Sequence, residues 1–153
     1  MIQNSDFDQI RPYTDAEVHH VIEGLCKEPY FIRMIPALIP GVPVDNVVAK
    51  LKTINSKEEF QVAFVIPFLN GLIKNSTAGV TMSGLENIEK DGSYLFITNH
   101  RDIILDSAFL NVKLHENGFK TTEIGIGDNL LIYPWIKKLV RINTLRMILK
   151  LYL

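Results

Sequence analysis

Four polar residues, Asn99-His100-Arg101-Asp102, stand between an apolar run and a helix-like run, and Asp106 follows four positions after Asp102. A histidine at such a junction can act as a general base near neutral pH when a carboxylate orients its ring. Asp102 and Asp106 are the two carboxylates close behind it, and their spacing puts both on one face of a helix. The same residues have a plainer use, since acidic side chains in a first helical turn favour the helix dipole. The triplet His100-Arg101-Asp102 also invites comparison with a protein-kinase catalytic loop. Ser107, however, occupies the place where that loop needs an asparagine, and no glycine-rich phosphate loop precedes it. Gly125-Ile126-Gly127 lacks the third glycine of a dinucleotide fingerprint.

The elements that must position these residues follow from the flanking pattern. Residues 94–97 (Tyr-Leu-Phe-Ile) are aromatic and β-branched, which predicts a buried strand ending at the polar junction. The spacing predicts a helix over 103–115, closed by Asn117-Gly118 as a C-cap signal. Side chains at strand ends are held rigidly, and open α/β sheets bind ligands there. Residues 79–84 alternate like a short strand, 85–92 form a turn-rich connection, 120–126 predict a third strand, and a last helical stretch begins near Pro134. Strand, strand, helix, strand, helix is an α/β pattern.

Upstream, residues 14–76 read as helical without strands. Thr14 with Glu17 and Ser56 with Glu59 are capping boxes, and Val18, Val21, Ile22 and Leu25 form a buried stripe. Pro29, Pro36, Pro40 and Pro43 break an apolar stretch that should therefore form only short helical turns and loops. Pro67 should kink or divide the helix that Ser56 opens. Two regions result: an N-terminal helical region over 1–78, and an α/β part over 79–153.

Composition bounds the function classes. The 153 residues are 47% hydrophobic and 22% charged, which suits a folded globular chain. A net charge of −1 gives no bias toward nucleic acid, and the lone Cys26 excludes an internal disulfide framework and a cysteine metal cluster. His19 and His20 have no further ligand at metal-binding spacing. No run reaches the roughly 18 apolar residues of a spanning helix. No basic region followed by an apolar run opens the chain, so the expectation is a cytoplasmic protein. Five basic residues (Lys137, Lys138, Arg141, Arg146, Lys150) and no acidic one lie over 129–153, a pattern that either faces water or sits on anionic lipid.

Ser83-Gly84-Leu85-Glu86-Asn87-Ile88, then Tyr94-Leu95-Phe96-Ile97-Thr98-Asn99-His100-Arg101, then a helical aspartate resembles the glycerolipid acyltransferase family, whose best-known members are the lysophosphatidic acid acyltransferases. The resemblance covers residues 79–143 and rests on the linked order of these blocks. It implies that His100 deprotonates an acceptor hydroxyl, on a lysophospholipid or a glycerol phosphate, for attack on the thioester of acyl-CoA or acyl-carrier protein. Asp106 would orient the imidazole, with Asn99, Arg101 and Asp102 in support. The thioester donor is a co-substrate, and neither cofactor nor metal is implied. Family spacing places the aspartate five residues after the histidine. Asp106 stands six after, a turn of about 100° on a helix, so Asp102 stays open as the partner.

The family continues with a strand carrying an arginine, a Glu-Gly-Thr-Arg-like block that binds the acceptor phosphate, and a proline-containing block. This chain reads Thr-Leu-Arg-Met-Ile-Leu-Lys-Leu-Tyr-Leu after Asn143, so the expectation is an incomplete domain preceded by a helical region that packs on it or approaches the cytoplasmic membrane face. Its rival is a non-catalytic membrane-surface or partner-binding fragment, using the apolar segment over 31–44 and the basic C-terminal stretch. A thioester hydrolase, with water in place of the lipid hydroxyl, would need the same base.

Overall fold

A computed structural model describes residues 8, 10–99, 101–102, 105–127 and 131–143, and the backbone of 145–148. These residues are mostly helical. In chain order they form α1 (Asp15–Leu25), α2 (Pro29–Leu38), α3 (Val44–Leu51), α4 (Lys57–Phe60), a π-helical turn (Gln61–Val65), α5 (Ile66–Ser76), a 3-10 turn (Leu85–Asn87), α6 (Leu105–Glu116), β1 (Ile124–Gly127), α7 (Pro134–Ile142) and β2 (Leu145–Ile148). The chain divides into two compact units, one of Met1–Phe68 with Glu123–Leu153 and one of Leu69–Thr122. The boundary suggested near residue 78 falls inside the second of these.

In the first unit, the N-terminal helical region is present as expected. The Glu17 carboxylate accepts from the Thr14 N–H at 2.7 Å and the Thr14 hydroxyl at 2.8 Å, starting α1. Ser56 Oγ accepts from the Glu59 N–H at 3.1 Å, while the Glu59 carboxylate reaches one residue further back, to the Asn55 N–H at 2.7 Å. Val18, Ile22 and Leu25 of α1 bury against Phe31 and Ile35 of α2, Val47 and Leu51 of α3, and Ile142 of α7. Phe31 lies at the centre, its ring 6.2 Å from both Phe64 and Trp135, in a tilted arrangement that aromatic pairs favour.

Pro36 acts differently from expectation, while a π turn divides the helix just before Pro67. α2 runs ten residues rather than breaking into short turns. Pro29 takes the first helical position, where a missing N–H costs nothing, and Pro36 falls in the last turn, where only one bond is forfeited. Pro67 is accommodated by the π turn just before it. The Ile66 N–H donates to the Gln61 carbonyl, five residues back, and the wider turn lets the helix continue past a ring that would crowd the Ala63 carbonyl.

β1 and β2 pair in parallel, Ile124 opposite Leu145 through Gly127 opposite Ile148, with α7 as the crossover that a parallel pair requires. Pro134 occupies the first turn of α7, as the sequence implies. Two basic residues of this helix are engaged within the unit. Lys138 pairs with Glu28 at 3.2 Å. Arg141 donates to the carbonyls of Arg11 (2.8 Å) and Asp8 (2.6 Å), and its guanidinium lies 4.1 Å from the Tyr13 ring centroid.

In the second unit, the strands expected over 79–84 and 94–97 do not form ladders; among the described residues only β1 and β2 pair. Leu95 and Ile97 are 85% and 86% exposed, so the expectation of a buried strand there is corrected. An apolar run specifies a strand's burial only when a second layer covers it. Here local contacts hold the segment instead: the Tyr94 ring packs 6.3 Å from Phe96, and Tyr94 Oη accepts from the Glu89 N–H at 2.7 Å.

Candidate active site

α6 begins the candidate site. Asp102 Oδ1 accepts from the Leu105 N–H at 2.8 Å, three residues on, and so satisfies an N–H in the first turn. Asp106, in the first turn, reaches back. Its Oδ2 accepts from the Arg101 N–H at 2.7 Å and from the Asp102 N–H at 2.9 Å. The two carboxylates therefore serve different masters. Asp102 points into the helix start, and Asp106 points out of it to the chain that enters the helix.

The Arg101 amide nitrogen is bonded to the carbonyl carbon of His100, so Asp106 grips the peptide group that joins His100 to Arg101. His100 itself lies outside the described residues, as do Ile103 and Ile104. Asn99, Arg101 and Asp102 are exposed, and Asp106 is half-buried. The described part of α6 starts at Leu105.

The turn upstream takes the form its residues dictate. Gly84 adopts φ +86°, a left-handed conformation that costs glycine little, and the 3-10 turn Leu85–Asn87 follows it. Asn87 donates from its side chain and its backbone N–H to the Gly84 carbonyl, at 3.2 and 3.0 Å. At the far end of α6, Gly118 takes φ +73°, and the Phe119 N–H returns to the Leu114 carbonyl at 2.9 Å.

No family model, curated protein or solved structure matches the chain.

One positioning residue escaped the sequence reading. Asn111, in the middle of α6, binds both backbone groups of Thr122: its Oδ1 accepts from the N–H at 2.7 Å and the hydroxyl at 2.9 Å, and its Nδ2 donates to the carbonyl at 3.2 Å. A side chain thereby imitates a strand neighbour and fixes the returning chain against the helix. The available signal was an asparagine, a poor helix former, at a helix-interior position. Among the described residues, no group of three or more His, Cys, Asp or Glu side chains is arranged to hold a metal ion, and no helix is long and apolar enough to cross a membrane.

Proposed function

We propose that this chain carries the base-and-acid element of a glycerolipid-acyltransferase-like α/β core, with His100 as general base and Asp106 as the residue that orients it. One observation carries the reading: the Asp106 carboxylate is tied at 2.7 Å to the amide that directly follows His100. In this reading the same carboxylate meets the imidazole, selects its tautomer and stabilises its cation, as in a serine-hydrolase triad. The parallel β1–α7–β2 unit supports the α/β part of the proposal.

The acceptor is a lysophospholipid or glycerol-phosphate hydroxyl, and the donor is acyl-CoA or acyl-carrier protein. His100 takes the hydroxyl proton as the oxygen attacks the thioester carbonyl. The tetrahedral intermediate then collapses with cleavage of the carbon–sulfur bond, and the imidazolium returns its proton to the departing thiolate. Asp106 balances the imidazolium charge between these steps. Asn99 and Arg101 are left to contact the acceptor, and Asp102 keeps the helix entry in place.

The test is phosphatidate formation from acyl-CoA and lysophosphatidate by the wild-type chain beside His100→Ala. A loss of about 10²–10⁴ in rate is expected for the variant. Equal rates, or no turnover by the wild type, overturn the proposal. Free fatty acid as the product in place of phosphatidate identifies a thioester hydrolase using the same base.

A further inference from the structure

We infer that residues 93–98 are a strand-pairing segment through which two copies of this chain join antiparallel, with Phe96 opposite Phe96. This inference does not rest on the acyl-transfer reading, and all of its residues lie in the second unit.

Ser93-Tyr94-Leu95-Phe96-Ile97-Thr98 is a run without charge, proline or glycine, the composition that favours strand pairing. Its side chains alternate as a strand's do. The Tyr94 and Phe96 rings meet at 6.3 Å on one side, and Leu95 and Ile97, almost fully exposed, take the other. Among the described residues, no backbone group of 93–98 is bonded to another part of the backbone. An exposed apolar segment with an unpaired row of N–H and C=O groups is a template for a second strand. The chain before it holds it in this presentation. Tyr94 Oη accepts from the Glu89 N–H, and the Tyr94 ring lies over Gly92, where any Cβ would collide with it.

Charge selects the occupant. Lys90-Asp91 precedes the segment and Arg101-Asp102 follows it. With Phe96 opposite Phe96, Leu95 faces Ile97 of the second copy, and Asp91 faces Arg101 of the second copy. Asp91 and Arg101 are exposed, and neither side chain is ion-paired among the described residues. Lys90 is turned to the Phe119 ring, 5.6 Å from its centroid, so the selection falls to Asp91 and Arg101. The antiparallel arrangement gives one such pair at each end. A parallel arrangement would set Asp91 against Asp91 and Arg101 against Arg101, and facing like charges are destabilising. An acid before the segment and a base after it make the segment complementary to itself, which favours a second copy over an unrelated strand. Pairing with residues 79–84 of the same chain is the competing outcome.

Sedimentation equilibrium of the full chain should give a dimer. Asp91→Arg and Arg101→Asp should each raise the dimer dissociation constant by about tenfold or more, because each sets like charges face to face at both ends. An equimolar mixture of the two variants should pair as the wild type does, since each supplies the charge that the other needs. In a Cys26→Ser chain, Phe96→Cys should oxidise to a covalent dimer, the facing Cβ atoms being about 4.5–5.5 Å apart, and Ser93→Cys should not. That cross-link reads the register without the charge variants, so it stands even where one of them misfolds. A monomeric wild-type chain, which pairing with residues 79–84 would give, overturns the inference. So do folded charge variants that fail to recover on mixing, and equal cross-linking at positions 93 and 96.

Discussion

Asp106→Asn separates the two tasks that one carboxylate can perform at the start of α6. The amide keeps an oxygen for the Arg101 and Asp102 N–H groups, now bound at 2.7 and 2.9 Å, but loses the charge. Removing a cap acceptor altogether costs about 0.5–2 kcal/mol, so weakening these exposed bonds should cost about 1 kcal/mol or less. In a chain of this size that lowers Tm by about 2–4 °C. The chemical task carries a larger figure. If Asp106 orients His100 as proposed, loss of the negative charge takes the counter-ion from the imidazolium and the preferred tautomer from the ring, which should cut the rate by about 10²–10⁴, or roughly 3–5 kcal/mol of barrier. Asp102→Asn is the control. Its Oδ1 caps the Leu105 N–H at 2.8 Å, and asparagine caps as well as aspartate, so stability and rate should both stay within about threefold of wild type. Thermal unfolding by circular dichroism and kcat/KM for phosphatidate formation read the two effects separately. A folded Asp106→Asn chain that turns over within threefold of wild type refutes the assignment. A hundredfold loss in Asp102→Asn alone moves the role to Asp102.

Three further outcomes follow from the packing. Phe31→Ala should destabilise the first unit by about 3–5 kcal/mol, because the ring is fully buried between Phe64 and Trp135; chemical denaturation with a red-shifted Trp135 emission reads it. Asn111→Ala leaves the backbone groups of Thr122 without their side-chain partner, a cost of about 1–3 kcal/mol, and hydrogen exchange at the Thr122 amide should accelerate. Arg11, and then the backbone and hydroxyl of Thr14, hold the Glu17 carboxyl far below the usual carboxylate range. A depressed folded-state value gives stability that is present above the unfolded pKa and lost as pH falls through the folded one. Tm should therefore decline on acidification from about pH 5, and Glu17→Gln should flatten that decline, read from unfolding curves across pH.

What was legible in the sequence was what neighbours in the chain decide. Thr14 with Glu17, Ser56 with Glu59 at the donor end, Pro134 at the start of α7 and Gly118 at the end of α6 all sit where local rules put them. Pro36 and Pro67 show the limit of the same rules. A proline states what it cannot donate, but whether the helix stops, sheds one bond or widens to a π turn depends on the core that Phe31, Ile35, Phe60 and Phe64 find on either side. Residues 94–97 show a deeper limit. Aromatic and β-branched composition is shared by strands that are covered and strands that are not, and pairing depends on chain far away in sequence. Their side chains meet one another and solvent, with Leu95 and Ile97 outward.

The two carboxylates show why the candidate site was only half legible. Their spacing of four said that Asp102 and Asp106 share a face, but not which backbone groups each would bind. Asp102 accepts from the Leu105 N–H three residues on, whereas Asp106 folds back on the N–H groups of Arg101 and Asp102. The plain use of an acid at a helix N-terminus and its use beside a base are also not rivals in this geometry. The bond by which Asp106 holds the turn ends on the N–H of Arg101, the residue that follows His100 in the chain. A structural role for Asp106 therefore does not count against the chemical one. Only a substitution that keeps the bond and removes the charge can tell whether the charge matters, and that is why asparagine, not alanine, is the informative replacement.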